Sequence, residues 1–194
     1  MSLRIGFYGH STCAYRGATS FLDLVAEQLS ARVVNTGVRM GSEERALLDL
    51  KRTRPDVAIV FHSQSRLIPW MSRPYDFDAR STRGLEPHEL AVAAAYTDMR
   101  DTELERSRLY GAALQIEHYC TDQRIPLVNC TDPRHPFPTW LKLSAPTDEP
   151  MRLAREHACD FAEHYNGVTA KGNQLIAQYL VNTIAARDGE VKRV

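Results

Sequence analysis

Asp56-Val57-Ala58-Ile59-Val60-Phe61, followed at once by His62-Ser63-Gln64, is the stretch from which the fold is read. Five apolar residues run from Val57 to Phe61 without polar alternation. Such a run suits a strand covered on both faces, the situation of a parallel sheet enclosed by helices. Upstream, Pro55 stops a helix that Ser42 caps, with Glu43 and Glu44 at the positive end of its dipole. Before it, Arg32-Val33-Val34-Asn35 reads as a second strand ending near Gly37, and residues 19–30 read as a helix with Phe21, Leu22, Leu24, Val25 and Leu29 on its inner face. Residues 4–8 form a first buried strand that Gly9 cuts off. Downstream, residues 65–85 carry Pro69, Pro74 and Gly84 among Trp70, Tyr75 and Phe77, and read as a long loop laid on the body. Pro87 opens a helical region over 87–121, and residues 125–130 form a fourth strand. Asp148 caps a helix to about Phe161, and Thr169 caps the last helix to about Ala186, with Leu175, Ile176, Tyr179, Leu180 and Ile184 inward.

Strands alternating with helices imply βαβ units with right-handed crossovers. The expected fold is α/β, a three-layer αβα sandwich on a flavodoxin-like parallel sheet of four to five strands. It forms one domain over 1–194, with a loop and helical insertion at about 65–121. Ligands of such sheets bind beyond the carboxyl ends of the strands, so residues 9–13, 35–41, 62–66 and 131–135 draw the search for chemistry.

Composition narrows the function. The chain has 194 residues, 43% hydrophobic and 25% charged, which excludes a disordered chain, a collagen-like repeat and a coiled-coil rod. Lys+Arg and Asp+Glu each total 24, so no cationic excess is present to release counterions from nucleic acid. No apolar run reaches bilayer length, and the N-terminus has no apolar core of a signal peptide. Cys13, Cys120, Cys130 and Cys159 share no close spacing and read as free thiols of a reducing compartment. The expectation is a cytoplasmic protein with neither nucleic-acid nor membrane partner. Neither H-x-x-x-H nor H-E-x-x-H occurs, so no metal is expected.

Four blocks stand at the predicted strand ends and before the last helix. They are Gly9-His10-Ser11-Thr12-Cys13, Asn35-Thr36-Gly37, His62-Ser63-Gln64, and His164-Tyr165-Asn166-Gly167 leading to Gly172-Asn173. Ser11, just past a strand and a glycine, can attack a carbonyl once a base takes its proton; the plain alternative is a turn or capping serine. Cys at position 13 sets the segment apart from a G-x-S-x-G elbow.

In order and placement the blocks resemble the SGNH (GDSL-like) hydrolase family over residues 4 to about 186. That resemblance implies a serine hydrolase that cleaves an ester, O-acyl groups on a carbohydrate among the substrates, with no cofactor. It implies Ser11 as nucleophile and His164 as general base. The Ser11 and Gly37 backbone N–H groups would bind the oxyanion, with the Gln64 carboxamide or His62 as third donor. This sequence departs from the family pattern in four places. His10 stands for an Asp, His62 for a Gly, Gln64 for an Asn, and Phe161 for the Asp three residues before the base. Asp160 is then the orienting carboxylate, unless Ser11 and His164 work as a dyad. Asp132-Pro133-Arg134-His135 offers a rival Asp-x-x-His spacing, and His157 a third imidazole.

Two readings of other classes stand beside this one. The departures fit a catalytically degraded fold used for binding or assembly. The turn at 37–42, between a strand and a helix, fits an anion at a helix N-terminus and hence a Rossmann-like nucleotide binder.

Overall fold

A computed structural model of the chain describes residues 2–9, 13, 20–35, 42–62, 67–68, 77–78, 90–91, 94, 102–134, 136–144, 146–160 and 167–191. The strands are β1 (Arg4–Gly9), β2 (Arg32–Asn35), β3 (Val57–Phe61), β4 (Leu67–Ile68), β5 (Phe77–Asp78), β6 (Leu127–Cys130) and β7 (Pro146–Thr147). The helices are α1 (Phe21–Gln28), α2 (Glu43–Thr53), α3 (Thr102–Asp122), α4 (Glu149–Glu156) and α5 (Ala170–Val191). Five strands make one sheet in the order β2-β1-β3-β6-β7, every pair parallel. This is the flavodoxin-like order, with helices on both faces, as the sequence led one to expect.

The continuous apolar run works as the parallel-sheet argument requires. Val57, Ile59 and Phe61 face α1, α4 and α5, together with Ile5, Phe7, Val128 and Cys130. Ala58 and Val60 face α2 and α3, together with Tyr8 and Leu127. On the first face Phe21 packs between Phe7 and Phe61, with ring centroids 6.0 and 5.5 Å away. Each fully buried side chain of this size contributes roughly 1.5–3 kcal/mol, so the two faces supply most of the drive to fold.

Local signals hold where capping chemistry fixes them. Ser42 caps α2 by accepting the Arg45 backbone N–H, and Arg54 ends the helix in the left-handed region just before Pro55. Elsewhere tertiary pairing redraws the elements. Asp148 precedes its helix without a side-chain cap bond, and that helix stops at Glu156 instead of about Phe161, because Ala158 bridges Val168 and the Cys159 N–H donates to the Gly167 carbonyl. Pro146-Thr147 forms an edge strand on β6, where proline opens the strand and forfeits no ladder bond inside the sheet. Residues 67–68 and 77–78 pair antiparallel inside the expected long loop. The inner face of α5 is Ile176, Ala177, Leu180 and Ile184, while Leu175 is turned outward. All four cysteines are free; Cys13, Cys120 and Cys130 are buried, and burial pushes the Cys120 thiol up to about 12.

Gly111 lies in the interior of α3, and a Cβ built there meets nothing within 4 Å. Replacing it by alanine removes only the entropic cost of a helical glycine. Gly111→Ala is therefore expected to raise stability by about 0.5–1 kcal/mol in urea titrations; a loss would show that the position is sterically committed.

Candidate functional site

The carboxyl edge of the sheet is built by a few specific contacts. Gly9 ends β1 at φ +94°, and a Cβ there would sit 2.1 Å from the Phe61 carbonyl oxygen. Only glycine allows this turn beside β3. Four residues on, Cys13 is buried, and its thiol donates to the Tyr8 carbonyl at 3.4 Å. Ser11 falls between these two anchors and is itself outside the described residues, as are Gly37, Gln64, His135 and His164.

The expected block before the last helix is pinned on both sides. Cys159 N–H to the Gly167 carbonyl (3.0 Å) and Thr169 N–H to the His157 carbonyl (2.8 Å) tie its two ends together. A Cβ on Gly172 would lie 2.4 Å from His157 Cβ, so α5 approaches α4 as closely as it does only because position 172 is glycine. The Thr169 hydroxyl caps α5 through the Gly172 N–H at 3.2 Å. Asn173 is 1% exposed and joins both parts of the edge. Its Oδ1 accepts the Phe21 N–H at 3.0 Å, and its Nδ2 donates to the Val168 and Thr169 carbonyls at 2.8 and 3.1 Å. One side chain thus fastens the chain that follows the Ser11 segment to the chain that follows the His164 segment.

His62 follows β3 directly and turns inward. It is 2% exposed, and its Nε2 lies 2.9 Å from Asn129 Oδ1. Asn129 Nδ2 donates to Glu117 Oε1 at 2.6 Å and to the Ser144 carbonyl at 2.7 Å. Both amide hydrogens are committed, so Oδ1 faces the ring and His62 Nε2 carries the proton. Nδ1 is buried without a hydrogen bond, 3.6 Å from Glu43 Oε1. Ser144 donates its N–H (2.6 Å) and its hydroxyl (2.7 Å) to the two Glu117 oxygens. Glu43, His62, Asn129 and Glu117 therefore form a buried polar chain that ends on the exposed Ser144. Among the described residues His62 is held by Asn129 and supports the end of β3. Asn129 and Glu117 drew no attention in the sequence, yet a signal existed. Asn129 interrupts an otherwise apolar buried strand, and Glu117 lies on the Ala113, Ile116, Cys120 face of α3. A polar group in such a place must have partners.

Asp160 is exposed and makes no hydrogen bond or ion pair with another described residue. Asp132, of the rival Asp-x-x-His spacing, is committed elsewhere. It is bound by the Arg134 backbone N–H at 2.8 Å, by the Arg134 guanidinium at 3.0 Å and by the Arg155 guanidinium. Burial alone would raise its carboxyl, but the hydrogen bonds from Arg134 and Arg155 outweigh that and bring it from the ordinary 3.8 down to about 2. Its folded pKa lies below the unfolded one, so its stabilisation is complete above pH 3.8 and fades as pH falls through about 2. The contribution is at most about 2 kcal/mol, less what solvent screening removes. Asp132→Asn should lower stability at neutral pH and flatten the acid limb of a pH-stability curve in that window; an unchanged acid limb would deny the pairing. His157 is half-buried at the end of α4, with its backbone carbonyl holding Thr169.

Among the described residues no group of three or more His, Cys, Asp or Glu side chains forms a metal site, and no helix is long and apolar enough to cross a membrane.

No protein-family model matches the chain, and no curated protein matches it. Among solved structures it is similar to the acetyl xylan esterase Est2A of the rumen bacterium Butyrivibrio proteoclasticus, with a TM-score of 0.49 and 11% identity over 97% of this chain. The match spans 64% of that esterase's length. It is also similar to a structure described as a lipolytic protein of the G-D-S-L family from Desulfitobacterium hafniense DCB-2, with a TM-score of 0.38 and 14% identity, covering 94% of this chain and 99% of that one.

Proposed function

We propose that this chain is a serine hydrolase of the SGNH type that cleaves a carboxylic ester. The observation that carries the reading is the Asn173 clamp. It fastens together the two stretches of chain that follow the candidate nucleophile and the candidate base, at the edge where an open parallel sheet takes its ligands. The Gly9 turn and the buried Cys13 hold the first of those stretches at the end of β1.

In this reading Ser11 Oγ attacks the ester carbonyl while His164 takes its proton. The Ser11 and Gly37 N–H groups and the Gln64 carboxamide stabilise the developing oxyanion. Collapse of the tetrahedral intermediate expels the alcohol, to which His164 returns the proton. Water, deprotonated by His164, then attacks the acyl-serine; the carboxylic acid leaves and Ser11 is restored. Asp160 is the carboxylate available to orient the imidazole, since no other described residue engages its oxygens. His62 has no part in the reaction and serves as a foundation for the end of β3.

The test is reaction of the folded chain with a fluorophosphonate, which phosphonylates an activated serine with loss of fluoride. Labelling confined to the peptide that contains Ser11 supports the reading. Absence of labelling in protein with an intact melting transition removes the esterase and favours a binding module.

A further inference from the structure

A groove of about 660 Å³ opens between α3 and the segment that carries Pro138 and Trp140. One face of α3 lines it, with Glu103, Arg106, Ser107, Tyr110, Gly111 and Leu114 at helical spacing. Trp140 is 65% exposed and stands edge-on to Tyr110, with centroids 5.6 Å apart. Tyr110 meets Phe137 at 5.7 Å, and Phe137 meets His62 at 4.9 Å. A line of rings therefore leads from the carboxyl end of β3 out to the groove.

We propose that this groove binds an uncharged sugar ring. It offers an exposed indole whose face suits the C–H face of a pyranose. Along the same wall the Arg106 guanidinium and the Ser107 and Tyr110 hydroxyls make no hydrogen bond to a described residue, which leaves donors and acceptors for a polyol. Its described lining carries one carboxylate, Glu103, and one guanidinium, Arg106, so no net charge selects an anionic ligand. Finally, the floor is Gly111, a helix-interior glycine above which space is open. The fold itself gains nothing from glycine there. A ring lying against α3 needs the space that a side chain at 111 would fill.

If the chain is an esterase, the sugar is the alcohol part of its ester, and its binding stands independently of that chemistry. The experiment titrates the full chain, in its Ser11→Ala form so that nothing turns over, with cellohexaose, xylohexaose and mannohexaose, following tryptophan fluorescence. Adenosine monophosphate serves as a planar, anionic control. At least one hexasaccharide is expected to bind. Trp140→Ala and, separately, Gly111→Leu should each weaken that binding by roughly tenfold or more, with melting transitions no lower than the parent's. If none binds, if both variants bind as well as the parent, or if the nucleotide alone binds, the groove is not a sugar site. Aryl ester hydrolysis by the parent chain reads the other proposal separately. Trp140-dependent binding without hydrolysis keeps the groove and removes the esterase; hydrolysis without such binding does the reverse.

Discussion

Ser11→Ala is expected to lower kcat/KM for a short-chain aryl ester by roughly three to six orders of magnitude, the range over which a hydrolase loses its nucleophile. Folding should survive, because the neighbouring structure depends on other atoms. Gly9 makes the turn through its positive φ, and Cys13 secures the return through its own thiol and its burial among Phe7, Phe21 and Phe61. The loss of one turn hydroxyl costs at most about 1 kcal/mol. Activity and melting temperature are therefore the two readings to take together. Parent-level hydrolysis by the alanine variant would end the assignment. A large fall in melting temperature would mark Ser11 as a structural turn residue, the plain alternative for a serine at this place.

Asn129→Leu should be the most damaging single change to stability, by about 3–5 kcal/mol. The leucine is close in volume, so the cost is electrostatic. It strips the His62 Nε2–H of its acceptor, the Ser144 carbonyl of a donor, and the Glu117 carboxylate of one of its three hydrogen bonds. The His62 ring cannot turn to water, since it is 2% exposed and Asn129 is fully buried. In a chain of this length the melting temperature should fall by roughly 6–20 °C. Asn129→Asp keeps the acceptor toward His62 but sets a second carboxylate against Glu117, so its penalty should grow as pH rises. A fall of under about 1 kcal/mol for the leucine variant would mean that the polar chain is not closed in solution.

The polar chain also shows why the surroundings of His62 cannot be read from its neighbours in sequence. A histidine just past a strand, in a sheet whose ligands bind at strand ends, looks like a site residue. Its fate depended on Asn129, sixty-seven positions away, and on Glu43 and Glu117 from two helices. By contrast Gly9, Ser42 and Pro55 needed no distant partner, because a positive φ, a side-chain cap and a helix stop are properties of a few adjacent residues. Leu175 shows the limit of periodicity. It belongs to the apolar set of the last helix, yet the arc that α5 presents to the sheet is set by where α1 and α4 already lie, and Ala177 takes the inward place. The edge strand at Pro146-Thr147 is similar: two residues carry no pattern, and only the waiting edge of β6 makes them a strand.

What the sequence alone determined is the layered plan. Unbroken apolar strands, capped amphipathic helices and their alternation admit few other ways of burying that much apolar surface, and burial is additive over residues that are neighbours in the chain. The tertiary structure decided which polar groups are spent inside and which remain at the edge. A hydrogen bond is satisfied by a partner at a particular distance and direction, and Asn129, Asn173 and Asp132 each take at least one such partner from a distant part of the chain.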